Sequence, residues 1–562
     1  LITTFSGMPR WRPEDVNSAG EMIAARLEAL GIPVTVHRPK LWLSVPLDAS
    51  VTLAGERFRA KPPSSALSCP EGVTAKLVYL PAQKSSLRSY NKRASAFFGE
   101  AAGTDGEMRA RLEGCILVTD GFGNPALTAI AEDWGAAGLI AINPGTDIHW
   151  GTCTTIWGSP DLDDISRKPR IPVAAVNHET GARLIAAAAE GAEATLRTEM
   201  QEGWFEQAIP VAEIRGAAEP EKFVLLHGHY DSWDVGVGDN ATGDATMLEC
   251  ARLLWENRDS LHRSVRIAWW PGHSTGRYAG STWFADAFAI DLDENCVMQV
   301  NCDSPGCRWA TSYHQTTAMA ETFPLVREVI ETVAGQTPVF KRPNQAGDYS
   351  FNNIGLSSFF MLSSTMPDAL REEKGYYAVS GCGGNIAWHT ENDTLEIADR
   401  DVLKTDIGIY LLCIWTLATE PYLPVAWRGI TAEFAATVAR YAEAAGAELD
   451  LGPAAEAVAG LDAALEAFEA AVAGGRLAPV QANAVTTGLA RILVPLNYTS
   501  APRFAHDPAV TSHPLPAIEI VTRLDEFTGE RRGFALTQAL RGRNRTVAAL
   551  RAATRLVEAA TA

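Results

Sequence analysis

The sequence predicts an α/β protein with a mostly parallel sheet and helices on both faces, a β-rich module placed ahead of it and a helical segment after it. Three observations carry this. Between about 205 and 420, apolar runs such as FVLLHGHYD, SVRIAWWPG and CVMQVNCDSPG alternate with helical ones such as DATMLECARLLWENR and STWFADAFA. That is the rhythm of a parallel sheet buried on both sides. Between about 60 and 195, short runs such as AKLVYLP, GCILVTD and AGLIAIN sit between glycine turns. From about 425 onward the chain is alanine-rich with helical periodicity, a composition of high helix propensity that permits close helix packing.

These changes of character divide the 562 residues into 1–60, the first part of the α/β domain; 61–195, the inserted module; 196–424, the main α/β domain; and 425–562, the helical domain. The length agrees with three to four domains at roughly 150 residues each. The chain opens with a helix over about 12–31, closed by Gly31, and the strand IPVTVH follows. Within the module, helices are expected near NPALTAIAEDWGA and NHETGARLIAAAAEG. The two halves of the tail are joined by the proline-marked NYTSAPRFAHDPAVTSHPLP.

Composition narrows the function. Apolar residues at 47% and charged residues at 20% describe an ordinary globular chain. Lys and Arg number 48 against 67 Asp and Glu, a net charge of -19, which repels a phosphate backbone; nucleic acid is not an expected partner. Nine cysteines without a CxxC fit a reduced compartment. No apolar run reaches the roughly 18 residues of a membrane span, and LITTFSGMPRWRPEDV lacks the features of a signal peptide. The expected location is cytoplasmic, with no membrane partner.

In such sheets, sites gather at the carboxyl ends of strands. His229 follows a buried strand, Asp231 comes two residues later, and Asp239 lies in the glycine-rich loop of HGHYDSWDVGVGDNATG. One histidine after a strand is ordinarily a packed residue; here two carboxylates accompany it. Asp303 ends the strand CVMQVNCD, and His389 lies in the polar loop GGNIAWHTENDT before an expected helix start at NDTLE. Two His and two Asp match the N/O donors of zinc and similar ions. His227 reads as a neighbour, Cys302 as buried, and Asn240 and Thr242 as a helix cap.

This order of motifs resembles that of the co-catalytic zinc aminopeptidases, and with the module and tail the chain is similar over nearly its whole length to the glutamate carboxypeptidase and transferrin receptor group. The resemblance implies that 61–195 is a protease-associated domain and 425–562 a dimerisation domain, giving a homodimer. It implies that His229 and Asp303 hold one metal, Asp239 bridges, His389 holds a second metal, and Asp231 orients His229. It also places GDYSFNNIGLSSF, with Asp348, in the substrate pocket.

One position departs from that pattern. The family carries two adjacent glutamates, a general base and a metal ligand, where this chain reads PGHSTGRYAGSTWF; with the glycine turns aligned, His273 and Ser274 stand there. His273 is then either a metal ligand or the general base taking a proton from metal-activated water. Arg277, Tyr278, Tyr377 and Trp388 are candidates for substrate contacts, with core packing or exposure the competing readings.

The expected function is metal-dependent hydrolysis of an amide bond in a short peptide or small molecule, by metal-activated water attacking the carbonyl. The expected cofactor is one or two Zn2+, with Fe2+, Mn2+ or Co2+ also suited to the donors. Two alternatives stand beside it: a non-catalytic binding or scaffold homologue, and a single-metal enzyme of another class, a lyase or an iron-dependent enzyme.

Overall fold

A computed structural model describes residues 1–83, 90–91, 93–343, 349–360 and 363–562. The first sheet has six strands in the order Val34–His37, Ile209–Ile214, Arg263–Trp270, Glu219–His229, Cys296–Asn301 and Ser358–Phe359. The last four are mutually parallel, and the two at the first edge are antiparallel. Along Glu219–His229, Val224 and Leu226 enter one core while Phe223 and Leu225 enter the opposite one. Side chains two apart share a face, so an unbroken apolar run fills both sides of the sheet.

Helices Pro13–Ala29, Thr242–Glu256, Phe323–Ala334 and Arg400–Thr419 cover the first face, and Ala279–Ala287 covers the second. Arg400–Thr419 is long and apolar enough to cross a membrane by composition, and in the fold it packs Ile409, Cys413 and Leu417 into the core. The α/β fold with flanking helices is thus as the sequence predicts.

A second sheet runs Glu56–Ala60, Lys40–Leu53, Glu193–Glu206, Cys69–Tyr79, Ile116–Asp120, Gly138–Ile142 and Val173–Val176. It includes two strands from within residues 1–60, and the pairing shows why. His37 pairs with Ile209 in the first sheet, and the same antiparallel ribbon continues with Lys40 against Glu206 and Leu53 against Ala194 in the second. The chain leaves and re-enters the first sheet side by side.

The tail forms four long helices, Arg428–Ala445, Gly452–Ala473, Pro479–Tyr498 and Glu530–Thr561, around a core that includes Phe434, Leu461, Leu489 and Leu550. Arg491 ties this bundle to the first sheet by donating to the carbonyls of Asp293, Gly355 and Cys296.

Candidate metal centre

Three neighbouring parallel strands end at one edge and deliver His229, Asp303 two residues past Asn301, and His273 three residues past Trp270. Gly228 lets the strands approach: a Cβ there would lie 2.4 Å from the Cys302 carbonyl oxygen. The loop carrying Asp239 turns at Gly236, whose φ is +41° and where a Cβ would lie 2.3 Å from the Asp239 carbonyl oxygen. The Asp239–Asn240 peptide is cis.

Asp239 stands between two imidazoles. Its Oδ1 lies 3.0 Å from His229 Nε2 and its Oδ2 lies 3.1 Å from His389 Nε2. Asp303 Oδ2 is 3.6 Å from His229 Nε2. The other ring nitrogens fix the tautomers: His229 Nδ1 lies 2.8 Å from the Asp231 carbonyl oxygen and His389 Nδ1 lies 3.0 Å from the Trp150 carbonyl oxygen. A carbonyl only accepts, so each Nδ1 carries hydrogen, and in the neutral ring each Nε2 turns a lone pair toward a carboxylate. A cation between them satisfies both sides. His229 Nε2 is buried and forms no hydrogen bond among the described residues, which fits donors converging on a shared point.

The electrostatics express the same demand for positive charge. Burial opposes ionisation of His229, yet its contacts with Asp231, Asp239 and Asp303 outweigh burial and raise its pKa well above the ordinary value. Burial likewise pushes the Asp239 carboxyl up, but the facing His229 and His389 hold it well below the usual range. Asp303 is raised by burial and then by the charge of Asp239. Burial and then the charge of His229 drive His273 well below the ordinary imidazole value.

His273 lies beside this group. Its ring stacks on that of His229, centroids 3.8 Å apart and planes inclined by 16°. The Asp231 carboxylate accepts from the backbone N–H of His273 at 3.1 Å and of Ser274 at 3.3 Å. Asp231 therefore orients His229 through its carbonyl, while its carboxylate, 3.7 Å from His229 Nδ1, anchors the 273–274 turn.

A cavity of about 80 Å3 opens beside these donors, and Arg277 and Trp388 line it. Arg277 is buried, with its guanidinium 4.5 Å from the Tyr278 ring and 5.4 Å from the Tyr90 ring. Tyr278 packs on Trp157 and on His273. Trp388 stacks on His389 at 3.8 Å. Tyr377 contacts His149 instead: His149 Nδ1 lies 2.6 Å from the Trp388 carbonyl, so its Nε2 accepts from the Tyr377 hydroxyl at 2.7 Å. Asp348 lies outside the described residues. His227 is structural, bonded between Trp270 and Gln299, and Cys302 is buried.

Two sequence expectations are corrected here. Asn240 does not cap a helix; its Nδ2 donates to the carbonyls of His229 and Cys302, and its Oδ1 accepts from Ser304 N–H, tying two strand ends together. No α-helix starts at NDTLE: Leu395–Ile397 is a single 3-10 turn, and the helix begins at Arg400 with Asp399 as its cap. Asp393 is otherwise engaged, accepting from the N–H groups of Gly238 and Asp239 at 2.7 and 2.9 Å.

Four contributing residues are not singled out by the sequence. Arg10 donates to the carbonyls of Tyr230, Val235 and Gly236 and so braces the loop after His229; no local pattern signals it. Asp393 had a signal, an acidic residue four positions after His389, that also reads as a cap. Phe122 and Trp150, from the second sheet's loops, line the cavity across a sequence gap that only the tertiary fold closes.

Residues 211–408 match the family model of peptidase family M28. That segment contains the candidate metal ligands His229, Asp239, His273, Asp303 and His389. Carboxypeptidase Q of Mus musculus is 30% identical over 259 residues, 44% of this chain and 50% of that protein. Aminopeptidase NAALADL1 of Rattus norvegicus is 30% identical over 148 residues, 25% of this chain and 18% of that protein. The chain thus spans about half, or less, of the length of these curated relatives. A zinc aminopeptidase from Bacillus subtilis, 18% identical, superposes with a TM-score of 0.55 over 75% of this chain and 94% of that one. An M28 peptidase precursor from Shewanella amazonensis, 16% identical, gives 0.53 over 75% and 93%. At these identities the likeness is one of fold.

Proposed function

We propose that the protein is a metal-dependent hydrolase of amide bonds in short peptides or small molecules, with zinc as the metal. One observation carries the reading: Asp239 presents its two oxygens to the lone pairs of two tautomer-fixed histidines, His229 and His389. The match of this segment to a peptidase family supports amide hydrolysis.

His229, Asp239 and Asp303 would hold the cation, with Asp239 extending to His389. A divalent cation there supplies Lewis acidity and makes hydroxide accessible at neutral pH. The chain's own residues do the rest. Asp393 holds the Asp239 loop through two backbone N–H groups. Trp150 and Trp388 wall the cavity with apolar surface, and Arg277 places a fixed positive charge at its wall to take a carboxylate or polarised carbonyl of the substrate. A cavity of about 80 Å3 admits the amide and its nearest atoms, against roughly 300–1,000 Å3 for a drug-sized site. That favours a small head group over a polypeptide segment.

The resemblance noted from the sequence reads residues 61–195 as a protease-associated module and His273–Ser274 as the counterpart of the family's glutamate pair. It reads the helical tail as a dimerisation domain, and an apolar groove of about 750 Å3 between Arg428–Ala445 and Gly452–Ala473 supports this. Nine cysteines free of disulfides support a reduced, cytoplasmic setting.

The test is hydrolysis of dipeptides and N-acyl amino acids before and after chelation. Activity is expected to vanish with chelator and return with Zn2+. Zn2+ binding near pH 7 should also release protons, because metal-free His229 holds one that ligation displaces; calorimetry in buffers of different ionisation enthalpy measures this. Chelator-insensitive hydrolysis would refute the reading.

A further inference from the structure

The structure assigns His273 as a metal ligand on the His229 and Asp303 side of the centre, leaving the Asp239–His389 side with two protein donors, so that the protein holds one cation tightly. This rests on the metal-dependent reading above and specifies what that centre contains.

Four observations lead here. The donor atoms of His229, His273 and Asp303 all lie within 4.8 Å of one another, a spacing that one ion can span. Among the described residues, this is the group of three or more His, Cys, Asp or Glu that converges so closely. Second, the His229 and His273 rings are stacked at 3.8 Å and nearly coplanar in tilt, at 16°. Two imidazoles held this way carry their ring nitrogens side by side, as two ligands of one ion require.

Third, His273 Nδ1 is buried and has no hydrogen-bond partner among the described residues. A buried ring nitrogen left without a partner is costly, and a cation removes that cost. The ring is also fixed in place: Asp231 accepts from its backbone N–H at 3.1 Å, and Tyr278 packs edge-on at 4.9 Å. Fourth, the residue after it is Ser274, whose neutral hydroxyl is a poor substitute for a carboxylate ligand. His389 therefore shares only Asp239 with the other side.

Two imidazoles and a carboxylate, with Asp239 adjacent, form a three- to four-donor set. Such a set suits Zn2+ with an open position and equally suits Fe2+ or Co2+. While it ligates, the His273 nitrogen has no lone pair with which to accept a proton, so proton transfer during hydrolysis falls to another group.

The experiment uses the full chain, stripped of metal and titrated with Zn2+ alone and with Co2+ alone. Elemental analysis and calorimetry count equivalents, visible absorption of the Co2+ form reports the ligand field, and X-ray absorption of the Zn2+ form counts imidazoles. Expected are one tight equivalent and two imidazoles in the unaltered protein. His273→Gln should weaken that equivalent roughly ten-fold or more, at least the loss that follows removal of an outer hydrogen-bond partner, and change the Co2+ spectrum. His389→Ala should retain one tight equivalent.

Two tight equivalents, a single imidazole on the zinc, or a His273→Gln protein with unchanged affinity and spectrum would overturn the assignment while leaving a metal-dependent hydrolase standing. Absence of any bound cation, together with chelator-insensitive hydrolysis, would overturn the underlying reading as well. A count of one imidazole overturns the assignment without any variant, and a count of two that persists in His389→Ala identifies the second ring as His273, so the proposal stays testable even if His273→Gln fails to fold.

Discussion

At the residue scale, the centre is surrounded by buried carboxyls whose environments differ. Asp244, in the first turn of Thr242–Glu256, has neither oxygen hydrogen-bonded among the described residues, and desolvation pushes it up to about 8, with Arg10 opposing. In the unfolded chain a carboxyl titrates near 3.9. Between those values the unfolded state gives up a proton that the folded state keeps, so stability falls as pH rises and levels off above the folded value. The loss from this group runs at about 1.4 kcal/mol per pH unit. Asp244→Asn has no such proton. In metal-free protein, the variant's urea midpoint should fall less than the parent's between pH 5 and pH 8; equal falls would assign the slope elsewhere. Asp244 was not singled out from sequence because burial, not residue type, gives it this property.

At the scale of elements, the sheet was legible because strands and helices alternate with clear periodicity, and His229 and Asp303 were legible because they terminate strands. The loops were less so. The acidic residue in HTENDT reads locally as a cap, yet Asp393 holds the Asp239 loop from 154 residues away, a distance no local pattern encodes. Asn240 misled in the same way: its amide joins two strand ends where a cap was expected. Asp393→Ala removes both acceptors from the loop. We expect Zn2+ affinity to fall by roughly 10- to 100-fold, as for other groups that orient ligands, with circular dichroism retained. Unchanged affinity, measured by competition with a chelating dye, would show that the loop holds itself.

At the scale of the molecule, the cavity belongs to both sheets. Trp150 donates its backbone N–H to the His389 carbonyl at 2.8 Å, and His389 Nδ1–H returns a bond to the Trp150 carbonyl at 3.0 Å. Lys61 adds an ion pair to Glu391 at 2.8 Å and lies 4.7 Å from the Trp150 ring centre. Trp150→Ala keeps those backbone bonds and removes the wall, so steady-state kinetics should show a higher KM, about ten-fold, with a smaller change in kcat. A fall in kcat alone would place Trp150 in the chemistry instead. The two-way link between Trp150 and His389 also sets this histidine apart from the other donors. His389 Nδ1 and its acceptor are 239 residues apart in the chain, whereas His229, His273 and Asp303 come from adjacent strands of one sheet. The three donors His229, His273 and Asp303 thus depend on one sheet alone, whereas the placement of His389 is held in common by both, and damage confined to the second sheet would reach the centre through His389 first.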